Sequence, residues 1–136
     1  MRERRGTAMG DQDGEIRTGV VRLKTRPQFL FVRNGLTERR KSLVVQARLR
    51  RDGSAHMGDG YTATKKIGNA VIRNRSKRRL REAARQLLPH YGVAGTDYVF
   101  IARLQTATIR WQRLLDDMES TLISLASDLK RADADS

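Results

Sequence analysis

Apolar positions along this chain change period several times, and each change marks an element. In residues 20–35, VVRLKTRPQFLFVRNG, Pro27 suits the first turn of a helix and Gly35 a stop. Phe29, Val32 and Leu36 recur at three- and four-residue spacing, which predicts a short helix over 26–34. Phe29 and Phe31 cannot point the same way on it, so one is expected in the core and the other along a groove. In residues 41–50 the period falls to two: Leu43, Val45, Ala47 and Leu49 alternate with Val44, Gln46, Arg48 and Arg50. That is a strand with a core face and a polar, basic face. The Gly-rich stretch 51–60 reads as a loop, and Tyr61 to Thr64 as a second strand running into Lys65 and Lys66, broken by Gly68 and Asn69.

Helical spacing resumes between Asn69 and Asn74. Leu80, Ala83, Ala84, Leu87 and Leu88 define one buried face, and Pro89 with Gly92 is expected to close the helix. Residues 96–103 form a continuously apolar, buried strand around Tyr98 to Ala102. The last helix, with Thr106 or Thr108 as its cap, carries the stripe Trp111, Leu114, Leu115, Met118, Leu122, Leu125, Ala126 and Leu129. Residues 1–17 pair four Lys/Arg with four acids and hold three Gly, and are expected to be a disordered extension. The domain then spans 18–130, and residues 131–136 are expected to fray.

Charge changes this picture more than composition does. The chain has 136 residues, enough for one domain, and 38% of them are hydrophobic. Its formal charge is +13 and its pI about 11.3, which points to nucleic acid first and an anionic membrane surface second. With no Cys there is neither disulfide nor thiolate chemistry, in keeping with a cytoplasmic location. No apolar run approaches the ~20 residues of a membrane span, and the N-terminus lacks the apolar core of a secretory signal.

The positive charge is concentrated. Lys65 to Arg85, KKIGNAVIRNRSKRRLREAAR, holds nine Lys/Arg against one acid, Glu82, a net +8. On a helical wheel Asn74, Lys77, Arg78, Arg81 and Arg85 lie on one side of the buried stripe, and Arg75 and Arg79 on the other. A solvated charged helix would interleave Glu with Arg; this one presents arginine forks, which suit phosphates. Residues 111–136 carry three Lys/Arg and six acids, so the last helix is expected to back the sheet away from the polyanion. Chemistry for catalysis is missing: His56 and His90 are isolated, Asp52, Asp59 and Asp97 fall on different elements, and Asp116, Asp117 and Glu119 share one helix. No catalytic or metal-ligating residue is expected in the chain.

The uninterrupted run KKIGNAVIRNRSKRRLREAAR, centred on Arg73-Asn74-Arg75, resembles the signature of the protein subunit of bacterial ribonuclease P. YTATKK before it, RPQFLFVRNG upstream and DYVFIAR downstream resemble that family's flanking elements in the same order, over residues 20 to 130. The resemblance implies a small α/β (α+β) two-layer sandwich, with a mixed four-stranded sheet and a left-handed βαβ crossover. It implies a binder of ribonuclease P RNA and precursor tRNA, in an endoribonuclease that removes the 5′ leader. The RNA would supply the active site and hold the Mg²⁺. By position in the motif, Lys65, Lys66, Asn69, Arg73, Asn74, Arg75, Lys77, Arg78 and Arg81 are assigned to RNA, and the wheel adds Arg79 and Arg85. Phe29 matches an aromatic position of a leader cleft, to which Arg33, Gln46 and Arg48 are also assigned.

Three departures stand out. Arg33 occupies the place of a second aromatic, Gln46 stands where relatives carry a ring, and Asp59 where an apolar strand residue is common. A cleft with fewer rings is expected to depend more on phosphates, and the second strand to start only at Gly60. A generic basic or ribosome-associated RNA-binding protein shares the charge without the ordered match. A helix-turn-helix reader lacks a helix before the motif, and a stand-alone nuclease lacks a constellation.

Overall fold

The structure, a computed structural model, describes residues 19–134. The extension expected over 1–17 lies outside them. Nine elements follow in order: β1 (Val20–Arg22), α1 (Arg26–Arg33), β2 (Leu36–Arg39), β3 (Leu43–Leu49), β4 (Met57–Thr62), a 3₁₀ turn (Lys65–Ile67), α2 (Ala70–Tyr91), β5 (Thr96–Ala102) and α3 (Trp111–Ala134). The strands form one mixed sheet in the order β1-β4-β5-β3-β2. β4 runs parallel to β1 and β5, while β3 is antiparallel to β5 and β2. The α+β class expected from the sequence holds, with five strands where four were expected.

Alternation along β3 and β5 divides the molecule into two unequal cores. Leu43, Val45 and Ala47 join Tyr98, Phe100 and Ala102 against α2 and α3. The opposite face carries Val99 and Ile101, covered by Val32, Phe29 and Phe31 of α1 and by Leu23. The stripe of α2 is buried as expected at Leu80, Ala83, Ala84 and Leu88, with Ser76 added one turn earlier. Burial of Leu80 and Leu88, each at most 1% exposed, contributes roughly 1.5–3 kcal/mol apiece.

Several expectations need correction. The edge strands β1 and β2, of three and four residues, are too short to show a period, and Leu36 lies in β2 rather than on the first helix. β4 starts at Met57, not at Gly60, and ends at Thr62 before the 3₁₀ turn. Its glycines read as a loop because the sequence does not show what approaches them. A Cβ at Gly58 would stand 2.3 Å from Oδ1 of Asp97, and one at Gly60 would stand 2.6 Å from Cε1 of Phe29. Gly is required there for close packing, a role it takes inside strands. Arg50 organises the remaining loop, donating to Asp97 at 2.7 Å, to Ser54 Oγ at 2.8 Å and to the His56 carbonyl.

Pro89 does not end α2; it sits in the last turn, and the Gly92 N–H closes the helix on the Leu88 carbonyl at 2.8 Å. Arg85 and Pro89 are both exposed, so the carbonyl that loses its partner meets water. Thr106 does not cap α3 but ties two loops together, its Oγ accepting from the Arg103 N–H at 2.7 Å and donating to the Ser42 carbonyl at 2.5 Å. α3 is helical through Ala134, four residues into the stretch expected to fray.

Candidate nucleic-acid interface

The basic turn and helix are built by a local rule. Gly68 adopts φ +146°, and a Cβ there would meet Ile72 at 2.9 Å, so only Gly fits beside the first turn of α2. Asn69 caps that helix, its Oδ1 accepting from the Ile72 N–H at 3.0 Å. Asn69 thus has a structural task, although the residue is exposed. Lys65 and Lys66 are exposed on the preceding 3₁₀ turn. The N-terminus of α2 lies beside them, where its dipole adds to the positive field.

Along α2 the two basic edges meet different neighbours. Arg78, Arg81 and Arg85 line a groove against β1. Arg79, on the other edge, donates to the Thr106 and Ile109 carbonyls, both at 2.5 Å, with its guanidinium carbon 5.7 Å from the Trp111 ring centroid. Desolvation, and secondarily Arg75, lower its pKa below the ordinary guanidinium value. Arg79 therefore anchors the β5–α3 loop. Arg73 donates to the Gly68 carbonyl at 3.0 Å and braces the turn. Asn74, Arg75 and Arg78 are exposed and Lys77 is half-buried. Arg85 pairs with Glu82 at 2.5 Å, and that hydrogen bond comes first in holding the Glu82 carboxyl down at about 2.

On the opposite face of the sheet, α1 packs across the central strands. Gln46, Val99 and Gly60 stand side by side across β3, β5 and β4, and Phe29 lies over Gly60. Arg48 stacks on Phe31, 4.3 Å from the ring centroid, and donates to the Phe31 carbonyl at 3.0 Å, which docks the end of α1. Neither Phe29 nor Phe31 is a fully buried core residue; both are half-buried and straddle Val32, which is wholly buried. Arg33 is exposed in the last turn of α1. β4 leads from Gly60, beneath Phe29, to Thr62, and the exposed lysines follow on the 3₁₀ turn three residues later.

One cluster escaped the sequence reading. Tyr61 donates to Oδ2 of Asp59 at 2.6 Å, whose Oδ1 accepts from Arg22 at 3.1 Å. The guanidinium carbons of Arg22 and Arg81 lie 5.1 and 5.8 Å from the Tyr61 ring centroid. Burial first, then the Asp59 carboxylate, push the Tyr61 phenol far above its ordinary range, so it remains a donor. The signal was the ionisable Asp59 in an apolar context, which needs a partner when buried. Among the described residues no group of three or more His, Cys, Asp or Glu is arranged to hold a metal ion. No helix among them is long and apolar enough to cross a membrane.

Comparison with known proteins agrees with this geometry. The family model Ribonuclease P matches residues 19–126. The ribonuclease P protein component of Caulobacter vibrioides is 53% identical over 110 residues, covering 81% of this chain and 74% of that protein. That of Ruegeria pomeroyi is 46% identical, covering 79% and 88%. Among solved structures, the ribonuclease P protein of Thermotoga maritima superposes with a TM-score of 0.65 at 25% identity, over 76% of this chain and 96% of that one. The Staphylococcus aureus protein gives 0.63 at 25% identity, over 77% and 94%. Taken with the sheet order and the capped basic helix, these matches mean that the chain belongs to the ribonuclease P protein family.

Proposed function

We propose that the turn at Lys65–Asn69 and the exposed cations of α2 grip the sugar-phosphate backbone of ribonuclease P RNA and its substrate, while the α1 cleft takes the 5′ leader. As a protein component of ribonuclease P, the chain works with ribonuclease P RNA on precursor tRNA to remove that leader. The observation that carries the site reading is the short path along the chain from Gly60 of β4, beneath Phe29, to the exposed Lys65, Lys66, Arg75 and Arg78 of the turn and α2. In this reading the RNA supplies the active site and holds the Mg²⁺, the protein raises affinity for substrate and metal, and the complex works in the cytoplasm.

The test is reconstitution with a bacterial ribonuclease P RNA at low Mg²⁺. Precursor tRNA cleavage should rise only when both components are present, and cleavage by the protein alone would overturn the reading. Within the cleft, Arg33 replaces stacking with charge. Phe29→Ala and Arg33→Ala should therefore both weaken leader binding, the first by a share of the ~1–3 kcal/mol of one stacked base. A large loss for the first with none for the second would count against a phosphate-dependent cleft.

A further inference from the structure

We infer that the groove between β1 and α2 holds one unstacked nucleotide of the partner RNA, its base on the apolar floor and its phosphate on the rim. The inference rests on the RNA-binding reading of α2 and adds a pocket on the side of the sheet opposite the α1 cleft. The groove encloses about 630 Å³, within the roughly 300–1,000 Å³ of small-molecule sites. Val20, Ala84, Leu88 and Pro89 line it with apolar surface, and Lys24, Arg78 and Arg81 bring three cations to it.

Its charges are not balanced internally. The two carboxylates in the groove are already engaged, Asp59 by Arg22 and Tyr61, Glu82 by Arg85 and Gln86. Lys24, Arg78 and Arg81 have no acidic partner among the described residues. Arg81 is steadied against the Tyr61 ring, which leaves its donors free for an anion.

The floor supplies the second half of the recognition. β1 is an edge strand, and its pairing runs through the Gly19 carbonyl to Met57 and the Leu23 N–H to Asp59. Residues alternate in a parallel ladder, so the backbone N–H and C=O groups of Val20 and Arg22 point away from β4, beside the groove. A phosphate alone would leave the apolar floor uncovered. A base covers it and reaches the free backbone groups by its edge.

The test titrates the full-length protein, with its methyl groups observed by NMR, against nucleoside 5′-monophosphates, inorganic phosphate and an acidic peptide. The nucleotides should shift the Val20 and Leu88 methyls saturably, and phosphate should not. Equal shifts from phosphate, or shifts from the acidic peptide alone, would overturn the inference.

In the reconstituted holoenzyme, Val20→Trp fills the groove while keeping every cation, and Lys24→Gln changes an exposed side chain. Each should weaken assembly about five- to tenfold, with precursor cleavage restored at saturating protein. Wild-type affinity for both variants would sink the pocket and leave the function standing. Failure of the unaltered protein to stimulate the RNA would instead strike the function itself.

Discussion

Single residues in the basic helix divide into those that hold the fold and those that face outward, and sequence spacing does not separate them. Arg79 and Arg78 are adjacent, yet Arg79 binds two backbone carbonyls of the β5–α3 loop and Arg78 binds nothing among the described residues. Charge-assisted hydrogen bonds contribute about 1.5–3 kcal/mol. Arg79→Ala should therefore lower unfolding free energy by roughly 1–3 kcal/mol in urea titrations. Arg78→Ala should leave stability within about 0.5 kcal/mol and weaken RNA binding.

Glu82 gives a pH test at the same scale. Its folded pKa is depressed to about 2, from an ordinary 4.5, chiefly by the hydrogen bond from Arg85. A depressed carboxyl contributes stability that is present above the unfolded value and lost as pH falls through the folded one. The Glu82 carboxyl should titrate near 2 by NMR, and Arg85→Ala should return the midpoint towards 4.5.

At the level of elements, the interfaces depend on what a strand lacks. Gly60 lets the Phe29 ring lie on β4, which sets the distance of α1 from the sheet. Gly60→Ala puts a methyl group 2.6 Å from that ring, so α1 must shift outward. Overpacking of this kind costs roughly 1–3 kcal/mol. Under the proposed function, leader binding should fall while affinity for ribonuclease P RNA is retained; comparing the two affinities checks this. α3 shows the complementary case. Its stripe was legible at Leu114, Met118, Leu122, Leu125 and Leu129, all buried. Asp117 is buried as well, because it accepts from the Ser42 hydroxyl at 2.8 Å and from Arg113 at 3.2 Å.

Across the whole molecule, charge is divided between two helices rather than across the sheet. α2 carries the net positive stretch, and α3, packed beside it on the same face of the sheet, carries most of the C-terminal acids. Such a field steers association with a polyanion and makes it salt-dependent. With six to eight phosphates contacted, the log–log salt slope of RNA binding should be about −4 to −7. Affinity that barely changed between roughly 50 and 300 mM salt would sink the backbone-gripping reading. Removing Lys65 and Lys66 together should flatten the slope by about one to two, whereas Arg79→Ala should change it little.

The sequence by itself determined the periodic elements and the ligand class. The strand at Leu43, the buried strand at Tyr98 and the stripes of α2 and α3 were legible because each repeats its apolar residues several times over one face. The density of arginine on α2 was enough to name a polyanion, because like charges so close have few other uses. Only the tertiary structure decided the rest. β1 and β2 exist because β4 and β3 offer them edges, and segments of three and four residues carry no pattern of their own. The start of β4 was hidden because its glycines answer to Asp97 and Phe29, which are distant in sequence. Which arginine meets water and which meets a carbonyl depends on a loop thirty residues away, and a helical wheel contains no such neighbour.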